Sequence, residues 1–158
     1  MANLIVDIGN TAVKMAVFDV DAALDREVDS SVAFVQGQAF IKRYAELPCI
    51  ISSVRASDDV VALRIAQLLP HALTLTHETP LPITNSYSTP QTLGHDRLAL
   101  AVAATTYEPH HSVLVVDMGT AITYDLVTGH GEYLGGNISP GIAMRFKALH
   151  ANTGRLPL

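Results

Sequence analysis

Only one cysteine, Cys49, stands among the 158 residues, which excludes an internal disulfide framework and any multi-cysteine zinc site. Its setting in Pro48-Cys49-Ile50-Ile51 reads as a small core hydrophobe, the usual role of a lone cysteine. Charge is scarce too: 16% of the residues are Asp, Glu, Lys or Arg, against about 25% in an average domain. With 10 basic and 15 acidic residues the formal charge is −5, and no basic cluster offers the footprint that nucleic acid needs. No apolar run approaches the roughly 18 residues of a membrane-crossing helix. The opening Met1-Ala2-Asn3-Leu4-Ile5-Val6 has no basic start and is ended by Asp7, so it does not read as a signal peptide. The expectation is a soluble cytoplasmic protein with neither a membrane nor a nucleic-acid partner.

What the chain has in quantity is apolar side chain. At 49% it buries enough surface to offset conformational entropy, so disorder is excluded. The low charge also implies that part of the surface is covered by a partner or by further sequence.

Leu4 to Val6 reads as a buried strand. Ile8-Gly9-Asn10-Thr11 turns and Val13 to Val20 returns, with Gly-Asn expected to supply the positive φ of a tight primed turn. Val32 to Val35 is expected as a third strand and Pro48 to Ser53 as another buried one. Ser57 is the expected cap of a helix that carries Val61, Ile65 and Leu68 and is closed by Pro70. Thr79 to Pro90 reads as an ordered loop, and Thr92 to Tyr107 as an alanine- and leucine-rich helix. Glu108-Pro109-His110-His111 is the linker candidate.

Ser112 to Val116 is then expected as a buried strand, Ala121 to Val127 as its return and Glu132 to Ile138 as the next. Ser139 is expected to cap a final helix with Pro140 at its first position and Ile142, Phe146 and Leu149 as its apolar stripe. The opening thus occurs twice: Leu4-Ile5-Val6-Asp7-Ile8-Gly9-Asn10-Thr11 is answered by Leu114-Val115-Val116-Asp117-Met118-Gly119-Thr120-Ala121. The two aspartates lie about one domain length apart, which reads as two α/β halves with a cleft, residues 1–108 and 112–158. The second half is shorter than the roughly 50 residues an independent core needs, so it is expected to be incomplete. Val113, Val115, Ile122 and Leu126 would then be poorly covered.

Asp-x-Gly-[Asn/Thr] at the end of a buried strand sets a carboxylate beside exposed turn amides. The amides suit phosphate oxygens and the carboxylate a hydrated magnesium ion, with Lys14 as an added point charge. The alternative is a plain hairpin whose aspartate caps the turn. Asp96, in Gly94-His95-Asp96-Arg97 at a helix entrance, suits a base taking a hydroxyl proton during phosphoryl transfer; alternatively it is a first-turn residue paired with Arg97. Gly135-Gly136-Asn137-Ile138-Ser139-Pro140-Gly141 allows close approach of a backbone or ligand, or simply turns a strand into a helix. The histidines have no metal-ligand spacing.

Together these blocks resemble the type III pantothenate kinase family, of the acetate and sugar kinase, heat-shock protein and actin superfamily. The blocks are Asp7 to Lys14, Tyr87 through Pro90 and Leu93 to Arg97, Asp117 to Asp125, and Gly135 to Pro157. The resemblance implies two ribonuclease H-like (actin-like) domains around a cleft, the second truncated here, and ATP-dependent phosphorylation of pantothenate to 4'-phosphopantothenate in coenzyme A biosynthesis. It implies that Asp7, Ile8, Gly9, Asn10, Thr11, Ala12, Val13, Lys14 and Thr120 bind ATP, with Asp7 near magnesium, directly or through water. It implies that Asp96 is the catalytic base, that Tyr87, Gly94, His95, Asp96 and Arg97 bind pantothenate, and that Asp117 holds a monovalent cation, potassium or ammonium. The family works as a homodimer. Other readings are a non-catalytic nucleotide-binding or regulatory relative, or another small-molecule kinase of the superfamily.

Overall fold

Leu4, Val6 and Ile8 alternate with Asn3, Ile5 and Asp7, the period of a strand with one face buried. They form β1 (Ala2–Ile8) in a computed structural model that describes residues 1–20, 22–31 and 33–158. Two compact units divide these residues: Met1–Thr79 with Gly94–Asp96, and Pro80–Leu93 with Arg97–Leu158.

In the first unit β1 pairs antiparallel with β2 (Val13–Asp19), and β2 with β3 (Ala22–Asp29). On the other side of β1, β4 (Cys49–Ser53) and β5 (Leu73–Thr74) add in parallel, giving the order β3-β2-β1-β4-β5. This three-strand meander followed by parallel strands is the ribonuclease H-like arrangement that the resemblance implies. Two helices cover one face, α1 (Val35–Tyr44) and α2 (Val60–Leu68). Leu4, Val6, Ile8, Val13, Met15 and Val17 pack there with Phe34, Phe40, Ile41, Val61, Ile65 and Leu69 in one core.

Several local expectations are corrected. The third strand lies at Ala22–Asp29, and Val35 opens a helix; of the expected strand, Val32 lies outside the described residues. The charges of Asp25, Arg26 and Glu27 mask a strand that sits at the sheet edge with Leu24 and Val28 exposed. The cap of α2 is Asp59 rather than Ser57: its carboxylate accepts from the amides of Val61 (3.0 Å) and Ala62 (2.9 Å). The Gly9-Asn10 turn is not primed. Neither residue has positive φ, and four residues, Gly9 to Ala12, separate the paired Ile8 and Val13, a loop long enough to turn without left-handed backbone.

The second unit holds β6 (Thr84–Asn85), a 3-10 turn (Pro90–Thr92), β7 (Val113–Met118), β8 (Ala121–Val127), β9 (Glu132–Pro140) and α4 (Ile142–Asn152). Its sheet runs β6-β9-β8-β7, with β6 parallel to β9 and the rest antiparallel. The segment read as a loop thus supplies an edge strand. Helix α3 (His95–Tyr107) contributes buried Leu98, Ala101 and Ala104 to this unit.

Strand β7 is not buried: Leu114, Val116 and Met118 are exposed along one face, joined by Leu126. Val113 and Val115 are half-buried and Ile122 is buried, so the open face carries the opposite residues of β7 from those expected. Strand β9 runs through Pro140, which pairs with Ala121, so Ser139 caps nothing and Gly141 precedes α4. The α4 stripe of Ile142, Phe146 and Leu149 is exposed. No helix among the described residues is long and apolar enough to cross a membrane.

Candidate functional site

The candidate residues fall into both units, and each unit is built around its own strand-turn-strand. In the first, Asp7 ends the solvent-facing side of β1 with its carboxylate one-third exposed and Lys14 Nζ 3.7 Å away. Lys14 is largely exposed, so this pair contributes little stability and leaves the lysine able to swing toward an anion. The turn closes with the Gly9 amide donating to the Ala12 carbonyl (3.1 Å). Asn10 and Thr11 are exposed at its tip, whereas the side chains of Ile8 and Val13 are in the core and offer only backbone to a ligand.

Beside Asp7, in parallel register on β4, Ser52 has a buried hydroxyl with no partner among the described residues. An orphaned buried hydroxyl next to a reachable carboxylate fits an oxygen-seeking cation or its water. Arg55, which follows β4, donates from Nε to the Gly9 carbonyl at 2.7 Å. Gly94, His95 and Asp96 also belong to this unit. Asp96 lies in the first turn of α3, and the buried Nδ1 of His95 has no partner among the described residues.

The second unit repeats the device. Asp117 is exposed near the end of β7, and the following turn closes with the Gly119 amide donating to the Ala121 carbonyl (2.9 Å). Gly141 ties the turn to the start of α4 by donating to the Thr120 carbonyl (3.0 Å). Across the ladder from Asp117 stands Thr123, whose hydroxyl is also buried and unpartnered among the described residues. Both candidate cation carboxylates therefore have an orphaned hydroxyl as a strand neighbour.

Arg97 and Tyr87 meet in a buried cluster. The Asp125 carboxylate accepts from Arg97 Nη2 (2.5 Å) and Nε (3.0 Å) and from the Tyr133 hydroxyl (2.7 Å), with both acid and arginine buried. Burial alone would pull the arginine pKa down, but the bonds and charge of Asp125 outweigh it and hold the guanidinium protonated. Burial and Asp125 together push the Tyr133 phenol up. The Tyr87 ring stacks on Tyr133 with centroids 6.3 Å apart and lies under the Arg97 guanidinium. It occupies the space beside Gly135, where φ is 85° and an added Cβ would come 2.7 Å from the ring. The glycine run expected at a strand-to-helix turn is thus inside β9, seating Tyr87.

Arg55, Asp125 and Tyr133 were not singled out by sequence. Asp125 and Tyr133 carried a signal, since they fall on the inward phase of the β8 and β9 alternation; a polar residue there has to be paired. Arg55 carried none. No group of three or more His, Cys, Asp or Glu among the described residues could hold a metal ion, so a cation at either turn would rest on a single carboxylate with hydroxyl, backbone or ligand oxygens. The Cys49 thiol is pushed up to about 11 by burial, which leaves it unreactive.

The family model described as type III pantothenate kinase matches residues 3–158. Type III pantothenate kinase of Phocaeicola vulgatus is 45% identical over 155 residues, 98% of this chain and 64% of that protein. That of Bacteroides fragilis is 45% identical over 156 residues, 99% of this chain and 64% of that protein. Among solved structures, a protein described as a Baf family transcriptional activator from Campylobacter jejuni superposes with a TM-score of 0.57 at 24% identity, covering 98% of this chain and 63% of that one. The Ppx/GppA family member of Aquifex aeolicus superposes with a TM-score of 0.53 at 15% identity, covering 96% and 54%; such low identities speak to fold alone. The chain spans about 64% of the length of the curated relatives it matches. With two carboxylate-bearing turns on two sheets and a family match from residue 3 to residue 158, the chain belongs to the type III pantothenate kinase family.

Proposed function

We propose that the native protein transfers the γ-phosphoryl group of ATP to the primary hydroxyl of pantothenate, giving 4'-phosphopantothenate and ADP for coenzyme A synthesis in the cytoplasm. The observation that carries this reading is the doubled turn, each copy with a carboxylate beside an orphaned hydroxyl. In the first copy the backbone of Asp7 to Lys14 binds ATP phosphates, with the exposed Lys14 as a mobile positive charge. In the second, Thr120 contacts ATP.

Asp7 would hold magnesium, directly or through water, and Asp117 a potassium or ammonium ion. Bound there, such cations offset phosphate charge. Tyr87 and the Gly94–Arg97 segment bind pantothenate, and Asp96 takes the hydroxyl proton as the new O–P bond forms and the bond to ADP breaks. The exposed Ile142, Phe146 and Leu149 of α4 suit a homodimer.

Asp96→Asn tests the base. In the native protein it is expected to lower kcat about 10²–10⁴-fold while leaving nucleotide affinity and melting temperature unchanged. Near-wild-type turnover would remove Asp96 from the role. ATP binding without turnover of pantothenate, or turnover of acetate or a sugar instead, would overturn the activity itself.

A further inference from the structure

Arg55 follows β4 by two residues, yet its side chain is only 17% exposed, unusual for an arginine outside a paired site. It reaches back across the sheet end, and Nε donates to the Gly9 carbonyl at 2.7 Å. The same guanidinium lies with Nη1 3.5 Å from Asp59 Oδ1, the oxygen that caps α2. Its own backbone is fixed as well: the Arg55 amide donates to the Ser53 hydroxyl (3.2 Å), and the preceding Val54 amide donates to the Ile8 carbonyl (3.1 Å). Arg55 is therefore held at both ends and grips the peptide that links Gly9 to Asn10.

We infer that Arg55 is a positioning residue for the nucleotide, acting by orienting the Gly9–Asn10 peptide of the first phosphate turn. This rests on the proposed function, in which that turn binds ATP phosphates. A trans peptide is planar, with its N–H and C=O pointing in opposite directions. Holding the Gly9 carbonyl toward Arg55 consequently turns the Asn10 N–H the other way, out of the turn. A donor aimed before the anion arrives needs no reorganisation when it binds. Neither Gly9 nor Asn10 adopts the left-handed backbone that would fix this orientation locally, so the orientation comes from a residue distant in sequence.

The test uses two substitutions of nearly equal length. Glutamine places an N–H donor at the same position along the side chain as Arg Nε but carries no charge; methionine has neither donor nor charge. In the native protein Arg55→Met is expected to raise the Kd for Mg-ADP and the KM for ATP about tenfold, the low end for a hydrogen bond from a charged donor. The KM for pantothenate should stay put, both variants should melt lower than wild type because each loses the Asp59 pairing, and Arg55→Gln should restore nucleotide affinity to within about twofold of wild type. Equal nucleotide affinity in Arg55→Met and wild type would overturn the inference. So would equal weakening by glutamine and methionine, which would assign the effect to charge rather than to the bond at Nε. Should Arg55→Met not fold, the Asn10 amide resonance of Arg55→Gln decides: a wild-type shift on adding Mg-ADP upholds the role and its loss overturns it. A wild-type protein that binds no Mg-ADP at all would instead overturn the nucleotide reading on which the inference stands.

Discussion

The two units carry the same strand-turn-strand on unlike foundations. In the first, β1 and β2 rest on a continuous apolar core in which Leu4, Val6, Phe34, Ile41 and Ile65 are wholly inaccessible. In the second, a buried charged cluster stands inside: Asp125 at 0% exposure, bonded to Arg97 and Tyr133. Several large apolar side chains of that unit stand outside, with Leu114 at 62%, Met118 at 67% and Phe146 at 60% exposure. An apolar core loses stability in proportion to the volume removed. A buried ion pair fails when either charge goes, because the other stays buried without its counter-charge.

The largest expected effect follows from that asymmetry. Asp125→Ala leaves the Arg97 guanidinium buried and uncompensated and is expected to cost about 3–5 kcal/mol, read from the denaturant midpoint. The double variant Arg97→Met/Asp125→Leu should be less destabilised than Asp125→Ala, since replacing a whole buried pair by apolar groups is often close to neutral. A double variant as unstable as the single would make the two foundations alike. Next comes Leu4→Ala in the first unit, expected to cost about 2–5 kcal/mol through transfer and cavity terms. There a partner substitution should not rescue it: Leu4→Ala with Ile65→Ala is expected to lose still more.

The smallest effect lies at the cap of α2. Asp59→Ala is expected to cost about 1 kcal/mol at neutral pH. The amide of Ala62 chiefly, with Arg55 adding to it, holds the Asp59 carboxyl below its ordinary 3.8. The unfolded chain thus binds this proton more readily than the folded one, so the contribution is complete above about pH 4 and is lost as pH falls through the depressed folded value. Comparing midpoints at pH 7 and pH 3, Asp59→Ala should lose less on acidification than wild type.

Much of this was legible from alternation and punctuation. Strands β1, β2, β4, β8 and β9 and helices α2 and α3 follow from apolar phase, and the two aspartate turns follow from the repeat. Elements whose stability is supplied from elsewhere were not legible. Strand β3 is charged because it is an edge, and α1 begins at Phe34 in a left-handed conformation with no side-chain cap of its own. Asp29 of β3 bonds the Gly37 amide instead (2.9 Å), a support eight residues away that no local signal announces. At the candidate site, Asp7, Asp96 and Asp117 stand out because carboxylates beside turns and helix starts have a stated chemistry. Arg55 and the seat of Tyr87 against Gly135 depend on chain reversals that bring distant residues together.

The bond between Tyr133 and Asp125 gives the second unit an optical signature. The Tyr133 phenol is pushed far up, by burial and by the carboxylate it bonds. In the unfolded chain the same phenol ionises near its ordinary value of 10.0, so the folded state holds this proton more tightly. Its contribution to stability is complete below that pH and drains away as the solution becomes more alkaline. The absorbance difference between the chain and its Tyr133→Phe variant isolates this phenol, and its tyrosinate signal should stay absent through a base titration while the unit is folded. That signal should appear together with loss of the near-ultraviolet circular dichroism, and its appearance near the ordinary phenol value with the fold intact would show that the Asp125 bond is not made. Alkaline absorbance thus becomes a reporter, built into the chain, for whether the charged centre of one unit is still closed.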